Sequence, residues 1–241
     1  MGRVKDAMFA TVAVTLATGC TDTAPVTGPF EQSGELIALS GGDAGAANAC
    51  IACHGLDGEG DGKLVPRLAG LDPGYFVRQL ELYDVGQRRH AAMEAIAARL
   101  SWDNRLAVAN HYADMAAPGA PGTHAADCTP HARQLVFSGD ASRNLPACTT
   151  CHGGDLAGAG SGGPPLAWQT AAYNESQLRA WRSGRRYGDP QGAMGEVSRL
   201  LHERELRAVA ACVSALPDAP GRREPRAASL RERRPDPRSG A

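Results

Sequence analysis

Two pentapeptides in the chain place two cysteines and a histidine at the spacing C-x-x-C-H. Residues 50–54 are Cys-Ile-Ala-Cys-His, and residues 148–152 are Cys-Thr-Thr-Cys-His. Two thiols at this spacing reach the two vinyl groups of one porphyrin, and the adjoining histidine lies beneath the iron. The sequence therefore predicts two covalently bound haem c groups. The predicted thioether and axial residues are Cys50, Cys53 and His54 for one haem, and Cys148, Cys151 and His152 for the other.

Each iron needs a sixth ligand from elsewhere in the chain. Met93 lies 39 residues after His54, Met194 lies 42 residues after His152, and both follow a segment that contains Gly and Arg. A thioether sulfur is a soft, neutral ligand that raises the reduction potential and leaves no open coordination position. Met93 and Met194 are therefore the predicted sixth ligands, and such closed sites favour electron transfer over catalysis. His90 is the competing ligand for the first iron, and core packing is the competing role of both methionines.

The chain around the two motifs is an internal repeat with a period of about a hundred residues. In each copy a helical run precedes the motif, and a Gly-rich loop and a Tyr-x-x-x-Gln-Leu helix follow it, with the tyrosines at Tyr75 and Tyr173. Asn174 followed by Gln177 is similar to a capping box and predicts a helix start there. Ser101 is the predicted N-cap of the last helix of the first copy. The pattern predicts two all-α domains, each formed by a few helices around one haem.

Several groups in the repeat are candidates to support the haems. A backbone carbonyl that accepts from an axial histidine fixes the ring, and Pro66 and either Pro164 or Pro165 lie where such carbonyls are expected. Plain turn formation is the alternative role of these prolines. Tyr75 and Tyr173 are candidates for contact with haem edges or propionates. Four arginines are candidates for pairing with propionates: Arg88, Arg89, Arg185 and Arg186.

Composition bounds the size and class of the domains. Aromatic residues make up 5% of the 241 residues, and the 29 Gly and 16 Pro suit loop-rich domains wrapped around a cofactor. A net charge of −1 argues against nucleic acid as a partner. The predicted organisation is a signal peptide at 1–20, a tether at 21–30, a first cytochrome domain at 31–116, a linker at 117–125, a second cytochrome domain at 126–217 and a disordered Arg- and Pro-rich tail at 218–241.

The first twenty residues predict export from the cytoplasm. A short basic head and an apolar run too short to span a bilayer precede Leu-Ala-Thr-Gly-Cys at 16–20, which is similar to a bacterial lipoprotein cleavage site. Cys20 is therefore the predicted site of a lipid anchor, which places the protein in the periplasm at a membrane surface. An ordinary signal peptide with an incidental cysteine is the alternative.

With the doubled motif, the Pro-x-Leu-Ala segments and the Gly-x-Arg element before each methionine, residues 31–217 resemble the diheme cytochrome c4 family. The resemblance implies two tandem class I cytochrome c domains packed as a pseudo-symmetric pair. It also implies periplasmic, membrane-associated electron transfer between a quinol-oxidising complex and a terminal oxidase, with His54, Met93, His152 and Met194 as iron ligands. Two cysteines, Cys128 and Cys212, and the basic tail depart from the pattern of that family.

Three cysteines lie outside the haem motifs: Cys20, Cys128 and Cys212. In cytochrome-like folds the first and last helices of a domain cross, and Cys128 and Cys212 belong to those two helical regions of the second domain. A disulfide between them is plausible in an oxidising compartment. Two buried thiols are the alternative.

The predicted function is electron transfer, and the chain is not predicted to be an enzyme. A cytochrome subunit of a periplasmic dehydrogenase, for sulfide, thiosulfate or alcohol oxidation, is the first alternative, because the same module then receives electrons from a catalytic partner. A diheme peroxidase or oxygenase needs an open iron, and the two methionines argue against it. Use of the cysteine pairs without haem is disfavoured by the histidine that follows each pair.

Overall fold

The computed structural model describes residues 33–116, 128–189 and 191–215. The predicted signal peptide, Cys20, the tether, the linker at 117–125 and the tail at 218–241 lie outside these residues. Helices form the described fold, and β-type pairing within it is limited to isolated bridges. The ten α-helices are α1 (Gly34–Ser40), α2 (Ile51–His54), α3 (Pro73–Asp84), α4 (Ala91–Ala97), α5 (Trp102–Asp114), α6 (Pro130–Ser138), α7 (Thr149–His152), α8 (Ala171–Arg182), α9 (Ala193–Leu200) and α10 (Glu203–Ala215).

The ten helices fall into two sets of five in the same order, which confirms the predicted all-α fold of two tandem cytochrome c domains. Each set begins with a helix, continues with a one-turn helix that carries the haem motif, and ends with three longer helices. Both sets belong to one compact unit of the chain. Within the described ranges no single helix is long and apolar enough to cross a bilayer.

The first domain closes where α1 crosses α5. A Cβ atom added at Gly34 would lie 2.1 Å from the backbone oxygen of Ala107, so only glycine permits this close approach of the two helices. Around the crossing, the buried side chains of α1, α3 and α5 form one apolar core, which includes Ile37, Leu80, Val108 and Tyr112. This core fixes the helices that surround the first haem motif.

The second domain closes in the same way where α6 crosses α10. Ala132 of α6 is fully buried, and its core neighbours include Leu135, Val209 and Val213. A disulfide joins Cys128, just before α6, to Cys212 in α10. The predicted bridge is therefore present, and it ties the two crossing helices of this domain together.

Side-chain caps define where the helices begin. Ser101 caps α5 by accepting from the Asn104 backbone N–H, as predicted. The prediction of a helix start at Asn174 is wrong. Thr170 caps α8 instead, and Asn174 lies within the helix with its amide donating to the Leu166 carbonyl. A buried amide at this place holds the preceding loop onto the helix, which a pattern of residue types does not reveal.

Candidate functional site

The two histidines of the C-x-x-C-H motifs occupy equivalent positions. His54 ends α2 and His152 ends α7, both are buried, and each Nδ1 lies 2.8 Å from a backbone oxygen, of Pro66 and of Pro164 respectively. A carbonyl oxygen only accepts, so each Nδ1 carries the hydrogen and each Nε2 keeps its lone pair for a metal. This confirms the predicted support from proline carbonyls and selects Pro164 over its neighbour.

Burial keeps both rings in the form that binds a metal. Burial lowers the pKa of His54, and electrostatic interactions with His90 and Arg88 lower it further, although the hydrogen bond to Pro66 opposes the change. Burial likewise lowers the pKa of His152. Neutral imidazole is the ligand that iron requires.

The four motif cysteines differ in exposure in the same way in both domains. The first cysteine of each motif, Cys50 and Cys148, is partly buried, and the fourth residue, Cys53 and Cys151, is exposed. Burial raises the pKa of the Cys50 and Cys148 thiols to about 11. Burial therefore disfavours the thiolate form of these two cysteines.

The two methionines lie at the starts of equivalent helices. Met93 is the third residue of α4 and Met194 is the second residue of α9, and both side chains are half-buried. The Met93 N–H donates to Nδ1 of His90 at 3.4 Å, so His90 acts as the N-cap of α4.

The first domain meets the second through a symmetric cluster of six polar side chains, of which five are buried and one, Gln177, is half-buried. Arg88 donates to the Tyr173 hydroxyl at 2.6 Å and to the Gln177 side-chain oxygen at 3.0 Å, both in the other domain. Arg186 of the second domain makes the equivalent contacts with the first domain. It donates to the Tyr75 hydroxyl at 3.0 Å and to the Gln79 side-chain oxygen at 2.9 Å. Each arginine also donates to the glutamine of its own domain. The two tyrosines, predicted to contact the haems, thus hold the domains together.

The cluster carries positive charge that no described carboxylate neutralises. Arg88 and Arg186 are buried, and neither forms an ion pair within the part of the chain that the structure describes. The Nε of Arg186 is buried without a hydrogen-bond partner. Although burial opposes it, the two guanidinium groups hold the pKa of Tyr75 below its ordinary value. Buried guanidinium groups favour an anionic partner, and this donor set fits the propionates of haem.

The four arginines that the sequence suggested as partners of haem propionates lie in two different environments. Arg88 and Arg186 lie in the interface and form an antiparallel bridge with each other. Arg89 and Arg185 are exposed, and Arg89 pairs with Glu94 at 3.6 Å. Their side chains do not join the buried cluster, although the Arg89 N–H donates to the Arg185 carbonyl across the interface at 2.9 Å.

A second set of interdomain contacts escaped the sequence analysis. The Gln169 amide forms a matched pair of bonds with the Arg67 backbone, accepting from its N–H at 3.0 Å and donating to its carbonyl at 2.9 Å. The Thr170 hydroxyl donates to the Lys63 carbonyl, and Arg78 donates to the Ser161 carbonyl. These bonds join the loop after each haem motif to the other domain. Polar residues of ordinary loops provide no sequence signal for such contacts.

A chain with two C-x-x-C-H motifs, each on its own helical domain with a carbonyl-supported histidine, is a diheme c-type cytochrome. It is 34% identical over 172 residues to a cytochrome c4 of Thiocapsa roseopersicina, which covers 70% of this chain and 87% of the relative. The chain belongs to the diheme cytochrome c4 family, so it is an electron-transfer protein that carries two covalently bound haem c groups. The proteins of this family are periplasmic c-type cytochromes.

Two further comparisons concern thiosulfate oxidation. The chain is 42% identical over 180 residues to a thiosulfate dehydrogenase electron acceptor of Stutzerimonas stutzeri, with 73% of this chain and 83% of the relative covered. The solved structure of the thiosulfate dehydrogenase TsdBA from Marichromatium purpuratum matches with a TM-score of 0.67 and 40% identity. That match covers 78% of this chain but only 40% of the longer TsdBA chain. No model of a protein family matches the sequence.

Proposed function

We propose that the protein accepts electrons from a thiosulfate dehydrogenase and passes them on through its two haem c groups. The observation that carries the proposal is the 42% identity to a thiosulfate dehydrogenase electron acceptor, which is higher than the identity to the cytochrome c4 compared above. The likeness to TsdBA supports the proposal. The part of the TsdBA chain that is similar to this protein belongs to the same polypeptide as the rest of that thiosulfate dehydrogenase.

The proposal assigns eight residues to the two haems. Thioether bonds would join the first haem to Cys50 and Cys53, and the second to Cys148 and Cys151. His54 and His152 would be the proximal ligands, since each presents a free Nε2 from a buried, neutral ring. Met93 and Met194 would be the distal ligands, from equivalent places at the starts of α4 and α9.

When bound, each haem c supplies a reversible one-electron iron couple. The chain contributes three things to its use. The carbonyls of Pro66 and Pro164 orient the histidine rings. The arginine, tyrosine and glutamine cluster holds the two domains in one fixed arrangement and offers donors to propionates. The buried side chains of the two cores exclude water from the inner faces of the sites.

The cellular setting is also part of the proposal. We infer that residues 31–116 and 126–217 are the two cytochrome domains, and that Cys20 carries a lipid anchor at the periplasmic membrane surface. The cleavage-site pattern at 16–20 supports the anchor. Metabolic labelling with a fatty acid in a producing bacterium, with Cys20→Ser as control, tests it. Equal labelling of both proteins, or labelling of neither, contradicts the anchor.

The direct test of function uses purified holoprotein with the thiosulfate dehydrogenase of Stutzerimonas stutzeri. Addition of thiosulfate should reduce both haems in the presence of catalytic amounts of dehydrogenase, and leave them oxidised without it. A second candidate is a carrier between a quinol-oxidising complex and a terminal oxidase, as the likeness to cytochrome c4 suggests. Reduction by such a complex with quinol, and none by the dehydrogenase with thiosulfate, would favour that candidate and exclude the first.

The ligand assignment has a separate spectroscopic test. A methionine sulfur on ferric haem gives a weak charge-transfer band at the red end of the spectrum. Met93→Ala and Met194→Ala should each remove about half of that band, and the double variant all of it. His90→Ala should leave the band intact. A full band in both single variants contradicts the assignment of the methionines.

A further inference from the structure

The loop after each haem motif follows the same course but exposes a different surface. The loops are 55–65 and 153–163, and each has the same length between its histidine and the proline that supports it. Three backbone or ring contacts recur in both. In the first loop, His54 Nδ1 bonds to the Pro66 oxygen, and the backbone N–H groups of Gly60 and Leu68 donate to the oxygens of His54 and Gly58. In the second loop, His152 Nδ1 bonds to the Pro164 oxygen, and the backbone N–H groups of Gly158 and Leu166 donate to the oxygens of His152 and Leu156.

Two leucines of the first loop lie on the surface. The exposed fraction of Leu56 is 63% and that of Leu64 is 60%, while the equivalent residues of the second loop are Gly154 and Gly162. The second loop has the same fold without these side chains, so the first loop does not need Leu56 and Leu64 for its own structure. Large exposed apolar side chains beside a functional group are typical of a contact surface.

Charge distinguishes the two loops as well. The first loop carries Asp57, Glu59 and Asp61, whereas the second has only Asp155 and has alanines in place of the other two acids. The whole domains follow the same trend. Residues 33–116 contain eleven acidic residues and seven Lys or Arg, a net charge of −4, and residues 128–215 contain seven acidic residues and nine Arg, a net charge of +2.

The first loop is held rigidly in place. One carboxylate oxygen of Asp61 accepts from the backbone N–H groups of Lys63 and Val65, both at 2.8 Å, and Glu59 accepts from the Asp57 N–H at 3.0 Å. The Lys63 carbonyl accepts from the Thr170 hydroxyl of the other domain. A surface that is already ordered loses little conformational entropy when a partner binds.

We propose that loop 55–65 is the docking surface for a redox protein that presents an apolar contact ringed by Lys and Arg. Leu56 and Leu64 supply the apolar contact, and the three acids of the loop attract and orient the basic rim. The exposed Cys53 and its motif adjoin this loop, so a partner bound here exchanges electrons with the first haem. The proposal rests on the electron-transfer function and extends it by naming the face and the charge of the partner. A small, polar-rimmed contact also suits a brief encounter between redox proteins.

The test uses a small basic cytochrome c as the probe and follows electron exchange with the reduced holoprotein by stopped flow. Neutralising the loop with Asp57→Asn, Glu59→Gln and Asp61→Asn should slow exchange about tenfold at low ionic strength, and much less at high ionic strength. Replacing Leu56 and Leu64 with the glycines of the second loop should slow exchange several-fold at both. The reduction potentials of the haems should not change.

Matched variants separate the loop from the net charge of the domain. Glu35→Gln, Asp103→Asn and Asp114→Asn remove the same charge from exposed positions outside the loop, and Leu106→Ala removes an exposed leucine elsewhere. These variants should slow exchange less than twofold. An equal loss in loop and control variants, or no loss in either, overturns the proposal. If the dehydrogenase fails to reduce the protein but the loop variants still slow exchange with the probe, the thiosulfate assignment fails and the docking surface stands.

Discussion

Leu156 in the second domain occupies the place that Gly58 occupies in the first, with the same left-handed backbone. The φ angles are 62° and 64°, and both backbone oxygens accept the equivalent loop hydrogen bond. In the first domain the ring of Tyr112 fills the space beside Gly58, whose added Cβ would lie 2.9 Å from that ring. In the second domain Leu156 is fully buried, and the equivalent residue of the last helix is the smaller Val213. The same space is therefore filled by a side chain of the last helix in the first domain, and by a side chain of the loop in the second domain.

This exchange of volume predicts the result of swapping the residues. Gly58→Leu should lower the free energy of unfolding by about 2–3 kcal/mol, because the new side chain collides with the Tyr112 ring and takes a left-handed conformation. Adding Tyr112→Val should recover part of the loss, since the pair then matches Leu156 and Val213. Guanidinium denaturation of the holoproteins measures both. A double variant no more stable than Gly58→Leu contradicts the relationship.

Local patterns predicted the parts of the molecule that local chemistry determines. The two haem motifs, the order of helices and the Ser101 cap follow from spacing and residue type over a few positions. The buried position of Leu156 does not, because its left-handed backbone is stable only where the neighbouring helix leaves space for the side chain. The prediction of a helix start at Asn174 failed for a similar reason. Its side-chain amide donates to the Leu166 carbonyl and the Ser214 hydroxyl, which are not its neighbours in sequence, and it does not cap a helix.

The haem support and the domain interface show the same limit. The sequence predicted that proline carbonyls support the axial histidines, and the choice of Pro164 over Pro165 required the folded loop. The sequence offered no reason to prefer any of the four arginines as a propionate partner. Arg88 and Arg186 are buried because the two domains pack against each other. The repeat does contain a usable signal, because the two buried arginines, unlike the two exposed ones, lie at equivalent offsets from their histidines. The axial ligands themselves remain predictions.

Substitution of Arg88 should weaken the contact between the domains. Arg88→Gln removes donors to the buried Tyr173 hydroxyl and to the half-buried Gln177 oxygen and leaves both with fewer partners, so the free energy of unfolding should fall by about 2–3 kcal/mol. Arg89→Gln is the matched control, because its side chain is 58% exposed and its ion pair is worth little. Denaturant titration compares the variants. An equal effect of both substitutions would show that the buried donors do not stabilise the interface.

The disulfide between Cys128 and Cys212 should stabilise the second domain. It joins residues 84 positions apart, so its loss increases the conformational freedom of the unfolded chain. Cys128→Ala with Cys212→Ala should lower the free energy of unfolding by about 2–4 kcal/mol. Mass spectrometry of the unreduced, alkylated protein should find label on neither cysteine. Full labelling of both in protein isolated from the periplasm contradicts the bridge.

The carboxylate of Glu205 links the stability of the second domain to pH. It is buried and accepts from Arg143 Nη1 at 3.0 Å, His131 Nε2 at 2.8 Å and the His202 N–H at 2.7 Å. Burial alone would raise its pKa, but the hydrogen bonds from Arg143, the His202 backbone and His131 lower the pKa to about 2. A carboxyl group whose pKa is lower in the folded state than in the unfolded state stabilises the fold when it is ionised.

This pKa shift determines the pH range in which the stabilisation is lost. Above about pH 5 the full contribution of Glu205, up to about 3 kcal/mol, is present, and it falls away as the pH drops from about 4.5 towards 2. Glu205→Gln should therefore lower the free energy of unfolding at pH 7, and the difference from the parent protein should shrink as the pH falls. Glu203→Gln is the control, because its side chain is 64% exposed. Urea titrations at pH 7, 5 and 3 measure the three proteins, and a Glu205→Gln deficit that stays constant with pH would rule out this linkage.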